Sequence, residues 1–127
     1  MNYDELNKKL KELKIEDYIW VIYIGIIFIS WYSNSLERKY FIYNDLNSKS
    51  KYRKSLIIIF SILLVVYIYF LKNAIDDLNN IKPWDSNEKK KLIYLSFIGS
   101  LLITISGAIF LYIAYKDESI DVEIAFN

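Results

Sequence analysis

The chain has 127 residues, 54% of them hydrophobic, and its 16 Lys and Arg against 15 Asp and Glu leave a formal net charge of +1. It contains no Cys and no His, which removes disulfides, thiol nucleophiles, imidazole bases and the usual zinc ligand sets. No catalytic, metal-binding or nucleotide-binding signature stands out, so the sequence predicts no enzyme activity, no cofactor and no nucleic-acid partner.

Charge is sorted along the chain rather than spread. Residues 18–36, 55–71 and 92–115 carry none of it, whereas a soluble fold has no reason to segregate charge so completely. A helix crossing a hydrocarbon core of roughly 30 Å at about 1.5 Å per residue needs about 20 apolar residues. These stretches of 19, 17 and 24 residues bracket that need. The expected fold is therefore an all-α integral membrane protein with three transmembrane helices, a short N-terminal amphipathic helix and a short acidic C-terminal tail, placed multi-pass in the cell membrane with the lipid bilayer as its first partner.

Residues 1–17 form the predicted amphipathic arm. Asn2 is placed to cap it, Tyr3, Leu6, Leu10 and Leu13 make one apolar stripe, and Asp4 with Lys8 and Glu5 with Lys9 have the spacing of intrahelical pairs. The first span, 18–36, is read as retained rather than as a cleaved leader. Its arm holds five acidic residues against four Lys, and the small residues Ser33 and Ser35 sit beside Trp31 and Tyr32. Gly25 and Ser30 are its expected contact points.

Residues 37–54 read as a basic connecting loop with the turn at Asn44 to Ser50. The second span, 55–71, offers little beyond Ser61 for contact and continues as helix to about Leu78. Residues 72–91 are a loop with helical extensions, broken at Asn79 to Asp85 around Pro83 and Trp84. Asp85 or Ser86 is expected to cap the third helix, with Glu88 at a capping-box position relative to Asp85. The neighbouring acids Asp76 and Asp77 read as a solvated helix end.

In the third span, 92–115, Ser96, Ser100, Thr104 and Ala108 recur every four residues, with Gly99 and Gly107 on the same broad face. Lipid gives helices no hydrophobic reason to associate, so contact relies on close backbone approach and interhelical hydrogen bonds, both of which small residues permit. This stripe marks the expected packing seam, within the chain in preference to against a second copy, because three spans need a centre. Trp and Tyr prefer the headgroup level, which makes Tyr18, Trp20, Trp31, Trp84, Tyr94 and Tyr115 the expected interfacial anchors. In the tail, 116–127, Ile120, Val122, Ile124 and Phe126 alternate with Asp121, Glu123 and Ala125, a strand-like period of two.

Lys and Arg nearly balance on the two sides of the spans. The expectation that residues 37–54 face the cytoplasm rests on the more basic flank of the first two spans. Functionally, the pattern points to a small non-enzymatic multi-pass component, an accessory subunit or adaptor that packs through its third span against a membrane-protein partner or in a homo-oligomer. The alternative is a membrane-active or protective effector. In outline, three spans and a short charged tail look like some phage holins and bacteriocin-immunity proteins, although no motif residue matches either and the acidic tail departs from the basic end common among holins. The uncharged spans speak against a transport path, which usually leaves charged or strongly polar groups within the bilayer.

Overall fold

Asn2 starts the first helix: its side-chain oxygen accepts the Glu5 amide at 2.8 Å and fixes the N-terminus of α1, Tyr3–Tyr43. The computed structural model describes residues 2–124 and contains two further helices, α2 at Leu46–Asn79 and α3 at Asn87–Lys116. All three are long and apolar enough to cross a membrane.

The arm is not a separate short helix. It is the first third of a 41-residue rod, roughly 60 Å long at 1.5 Å per residue. The change from polar to apolar sequence near Asp17 carries no backbone signal. No Gly or Pro lies between Tyr3 and Tyr18, and Leu, Lys and Glu favour helix throughout. The spaced pairs in the arm do not close into ion pairs; among the described residues only Lys89 and Asp85 do, at 3.1 Å.

The connection at 37–54 is also mostly helix. Only Asn44 and Asp45 lie between α1 and α2. Asn44 takes the left-handed conformation (φ 52°), which Asn tolerates better than most residues, and Asp45 caps α2 by accepting the Asn47 amide at 3.1 Å and the Ser48 hydroxyl at 2.8 Å. The Ser48 hydrogen bond holds the Asp45 carboxyl below the usual aspartate range. Between α2 and α3, Ser86 is the cap, its hydroxyl accepting the Lys89 amide at 3.1 Å. Asp85 instead braces the turn, accepting from the Lys82 amide at 2.8 Å and the Lys89 ammonium at 3.1 Å. Glu88 is therefore not part of a capping box with Asp85.

Packing makes α2 the middle element. α1 and α3 each lie against it, and no Cα of α1 comes within 8 Å of one in α3. The core accordingly centres on Leu56, Ile59, Phe60 and Leu63 of α2, with Phe60 only 1% exposed and its ring 5.8 Å from that of Phe110 in α3. The third span, richest in small residues, buries only Gly107 and Ala114.

The tail makes no strand among the described residues. Ile124 is buried in the core cluster and Ile120 packs beside it, while Val122 is exposed. Residues four apart face inward, so the strand-like alternation does not govern. Phe126 lies outside the described residues.

Candidate functional site

Two seams and the gap between them organise the polar groups of the apolar region. Along α1, Glu12, Glu16, Ile19, Tyr23, Ile26, Ser30, Ser33, Glu37 and Tyr40 are withdrawn from the surface at steps of four and three, with Ile29 and Leu36 beside them. That is the 3.5-residue repeat of a left-handed helix crossing. At its tightest point Ser33 is 0% exposed and its Oγ lies 2.6 Å from that of Ser55 in α2. Ser33 also has the Ile29 carbonyl at 2.8 Å, and Ser55 the Tyr52 carbonyl at 2.7 Å.

Along α3 the same repeat appears as Ile93, Phe97, Ser100, Thr104, Gly107, Leu111 and Ala114. A Cβ built on Gly107 would sit 3.0 Å from Cδ2 of Tyr67, so the glycine is what lets the Tyr67 ring lie against α3. Thr104 has its hydroxyl 2.7 Å from the Ser100 carbonyl and 3.3 Å from the Tyr67 carbonyl of α2.

The structure thus divides the small-residue stripe. Ser100, Thr104 and Gly107 lie on the α2 side. Ser96, Gly99 and Ala108 are exposed, and a Cβ on Gly99 would meet nothing within 4 Å. An every-fourth-residue stripe advances 400° per step and so drifts about 40° around the helix each time, whereas a 3.5-residue seam holds its face. Gly25 likewise faces open space, and Ser30 and Ser61 are half-buried. The six aromatic anchors, Tyr18, Trp20, Trp31, Trp84, Tyr94 and Tyr115, are all exposed.

At the other end of the bundle Arg53 of α2 reaches α3, its Nη2 donating to the Tyr115 carbonyl at 3.1 Å. A guanidinium there satisfies one of the carbonyls that a helix C-terminus leaves open. Asp117, which follows α3, accepts the Val122 amide at 2.8 Å, and this bond holds its carboxyl below the usual aspartate range.

Between α1 and α3, which have no Cα pair within 8 Å, a trough over α2 holds two cavities. Its inner part is a cavity of about 440 Å³ lined by Tyr23, Ile26, Ile27, Ser30, Leu63, Tyr67 and Ile103. Towards the N-terminal end of α1 the same helix faces line a second cavity of about 360 Å³, where Lys8, Lys9, Glu12 and Glu16 stand across from Asp76 and Asp77, with Phe70, Asn73, Ser96 and Ser100 along the walls. The sequence reading gave no packing or site role to Tyr23, Tyr67, Ser33, Ser55 or Arg53. The seven-residue recurrence of polar positions 16, 23, 30 and 37 was the available signal for the first of them.

These features define a class: an all-helical chain with three helices long and apolar enough to cross a membrane, joined through a central α2. No family model, curated protein or solved structure matches it. Among the described residues no group of three or more His, Cys, Asp or Glu is placed to hold a metal ion.

Proposed function

We propose that the chain is inserted in the cell membrane by all three helices and acts there as a small non-enzymatic accessory subunit or adaptor, binding a partner membrane protein through α3. The carrying observation is the one-sided cover of α3. Only 11% of its most apolar window is buried, against 33% for α2, although it holds two of the three glycines of the chain. Gly99 lies open on this helix, so a neighbouring helix can approach its backbone closely there.

The absence of Cys makes the test clean. A single cysteine at Gly99, carrying a short photocrosslinker, is activated in native membranes, with the equivalent label at Phe28 on the exposed face of α1 as control. A discrete adduct to one other polypeptide from Gly99, and none from Phe28, is the expected result. Adducts to a second copy alone, or none from α3, overturn the reading.

A further inference from the structure

Apart from the trough, and sharing no lining residue with its two cavities, the crease between α2 and α3 ends in a basic cavity of about 390 Å³. Arg53, Lys54 and Lys116 line it, with Ser50 and a single carboxylate, Glu118. Lys54 is the last residue before the second uncharged stretch and Lys116 the first after the third. In a bilayer that is the level at which headgroups meet hydrocarbon.

The three cations are short of acceptors. The only ion pair among the described residues joins Lys89 to Asp85, so none of the three touches a carboxylate, although Asp117 attracts Arg53 from farther off. Arg53 gives one N–H to the Tyr115 carbonyl at 3.1 Å, and its Nε is buried without an acceptor. Three positive charges against one negative select an anion. A guanidinium with N–H groups to spare, beside two ammonium groups, suits the several oxygens of a phosphate.

The cavity continues towards the middle of the helices. Ile57 and Tyr115 also line a second cavity, about 420 Å³, which follows the same crease past Ser61 and Leu64 of α2 and Ala108 and Leu111 of α3. Contacts of Arg53 with Tyr115, Phe60 with Phe110 and Tyr67 with Thr104 make the two helices antiparallel. Steps from Lys54 to Leu64 and from Lys116 to Ala108 therefore lead the same way, from charge into apolar surface. The ten residues from Lys54 to Leu64 rise roughly 15 Å, half of a hydrocarbon core of roughly 30 Å, which is the depth of one leaflet. Cations, junction and apolar crease thus follow one another in the order of phosphate, ester region and acyl chain in a phospholipid.

We infer that the crease between α2 and α3 binds one phospholipid of net negative charge, with its phosphate among Arg53, Lys54 and Lys116, its ester region beside Ile57 and Tyr115, and an acyl chain running past Leu111 and Leu64. A zwitterionic lipid would bring its own cation into a cavity that already holds three. The inference rests on the membrane-inserted reading above but not on the α3 partner.

The full chain is reconstituted in vesicles holding equal parts of anionic glycerol-, choline- and ethanolamine-headgroup phospholipids, extracted in mild detergent, and its retained lipid measured by native mass spectrometry. One glycerol-headgroup lipid per chain is expected, retained on the order of tenfold or more over either zwitterionic lipid. Lys54→Gln with Lys116→Gln alters two exposed side chains, each contributing about fivefold near an anionic headgroup, and is expected to bring the three lipids within about twofold of one another. Lys8→Gln with Lys9→Gln removes the same charge at the opposite end of the bundle and should leave the preference unchanged. Ala108→Phe fills the exposed crease without altering a charge and is expected to lower retention of the anionic lipid several-fold. An excess of inorganic phosphate should not displace that lipid, since its chain is held as well as its phosphate. Equal retention of the three lipids by the unaltered chain, an equal loss in the Lys8 and Lys9 variant, or undiminished retention in Ala108→Phe overturns the proposal. Displacement by inorganic phosphate also overturns it, by making the cavity a site for the free anion. A chain that stays out of the vesicles altogether overturns the membrane reading, and the lipid site with it.

Discussion

Replacing Ser33 by Leu is expected to cost far more than replacing it by Ala, and the difference follows from a count of protons. Ser33 and Ser55 own two hydroxyl hydrogens between them, while three close contacts invite one: the 2.6 Å approach of the two oxygens, Ser33 to the Ile29 carbonyl and Ser55 to the Tyr52 carbonyl. One serine must therefore donate to the other, which passes its own hydrogen to a carbonyl. Removing either hydroxyl leaves the remaining one bonded to its own helix, so no polar group is orphaned. Ser33→Ala and Ser55→Ala should each cost about 0.6 kcal/mol and at most about 1.7, the range of interhelical hydrogen bonds in bilayers. Ser33→Leu instead adds three carbons at a position with no exposure, and overpacking of that kind costs about 1–3 kcal/mol. Reversible unfolding in bicelles, followed by steric trapping across a double-mutant cycle, measures both quantities. If Ser33→Leu is tolerated as well as Ser33→Ala, the close crossing of α1 and α2 is refuted.

Gly107→Ala needs the Tyr67 ring to yield by a few tenths of an ångström, and since Tyr67 borders an open trough the expected cost is below about 1 kcal/mol; Gly107→Leu should cost about 1–3 kcal/mol, while Gly99→Leu leaves the isolated chain within about 0.5 kcal/mol in the same unfolding assay. Asp117 has a lowered folded pKa, so its contribution is fully present above the ordinary aspartate range and is lost as pH falls below that range through the folded value; amide exchange at Val122, taken relative to its intrinsic rate at each pH, should rise there, and Asp117→Asn should raise it at neutral pH and remove most of the pH dependence. Unchanged exchange on either path would show that the carboxylate does not hold the tail. Spin labels on cysteines placed at Leu6 and Phe28 should give a narrow distance near 33 Å, from 22 residues at about 1.5 Å each, and a broad or much shorter distribution would mean that the arm moves apart from the span.

The three helices were legible in the sequence because each contains an uncharged apolar stretch, 18–36, 55–71 and 92–115, and all thirty-one charged residues fall outside those stretches. The Asn2 and Ser86 caps were legible for a similar reason, each being a local contact between side chain and backbone over three residues. What a window of sequence does not carry is which helix is central. Small residues made the third span look like the centre, but closeness of approach depends on both partners. On α2 the deciding residues are large: Phe60 fills the space before Phe110, and Tyr67 uses the absence of a side chain at Gly107. The extent of α1 was missed because polarity was read as a boundary where the backbone has none. In the tail, alternation over seven residues suggested a strand, yet the apolar surface of the bundle draws in Ile120 and Ile124 and leaves Val122 out.

Placing α2 in the middle has two consequences that bear on function. Each outer helix commits one face to α2, and neither covers the other, so α3 retains open surface for a neighbouring helix and α1 retains an open flank along the trough. A compact triangle, with α1 against α3, would close that trough and bring both outer helices under cover. The open arrangement is also the one that keeps the charged arm useful. As α1 continues without a break from the apolar span into Glu16, Glu12, Lys9 and Lys8, these side chains are carried on the same helical face as Tyr23 and Ile26. A hinge at Asp17 would set that face free to rotate, and the charged cavity would no longer hold a fixed place relative to the apolar one.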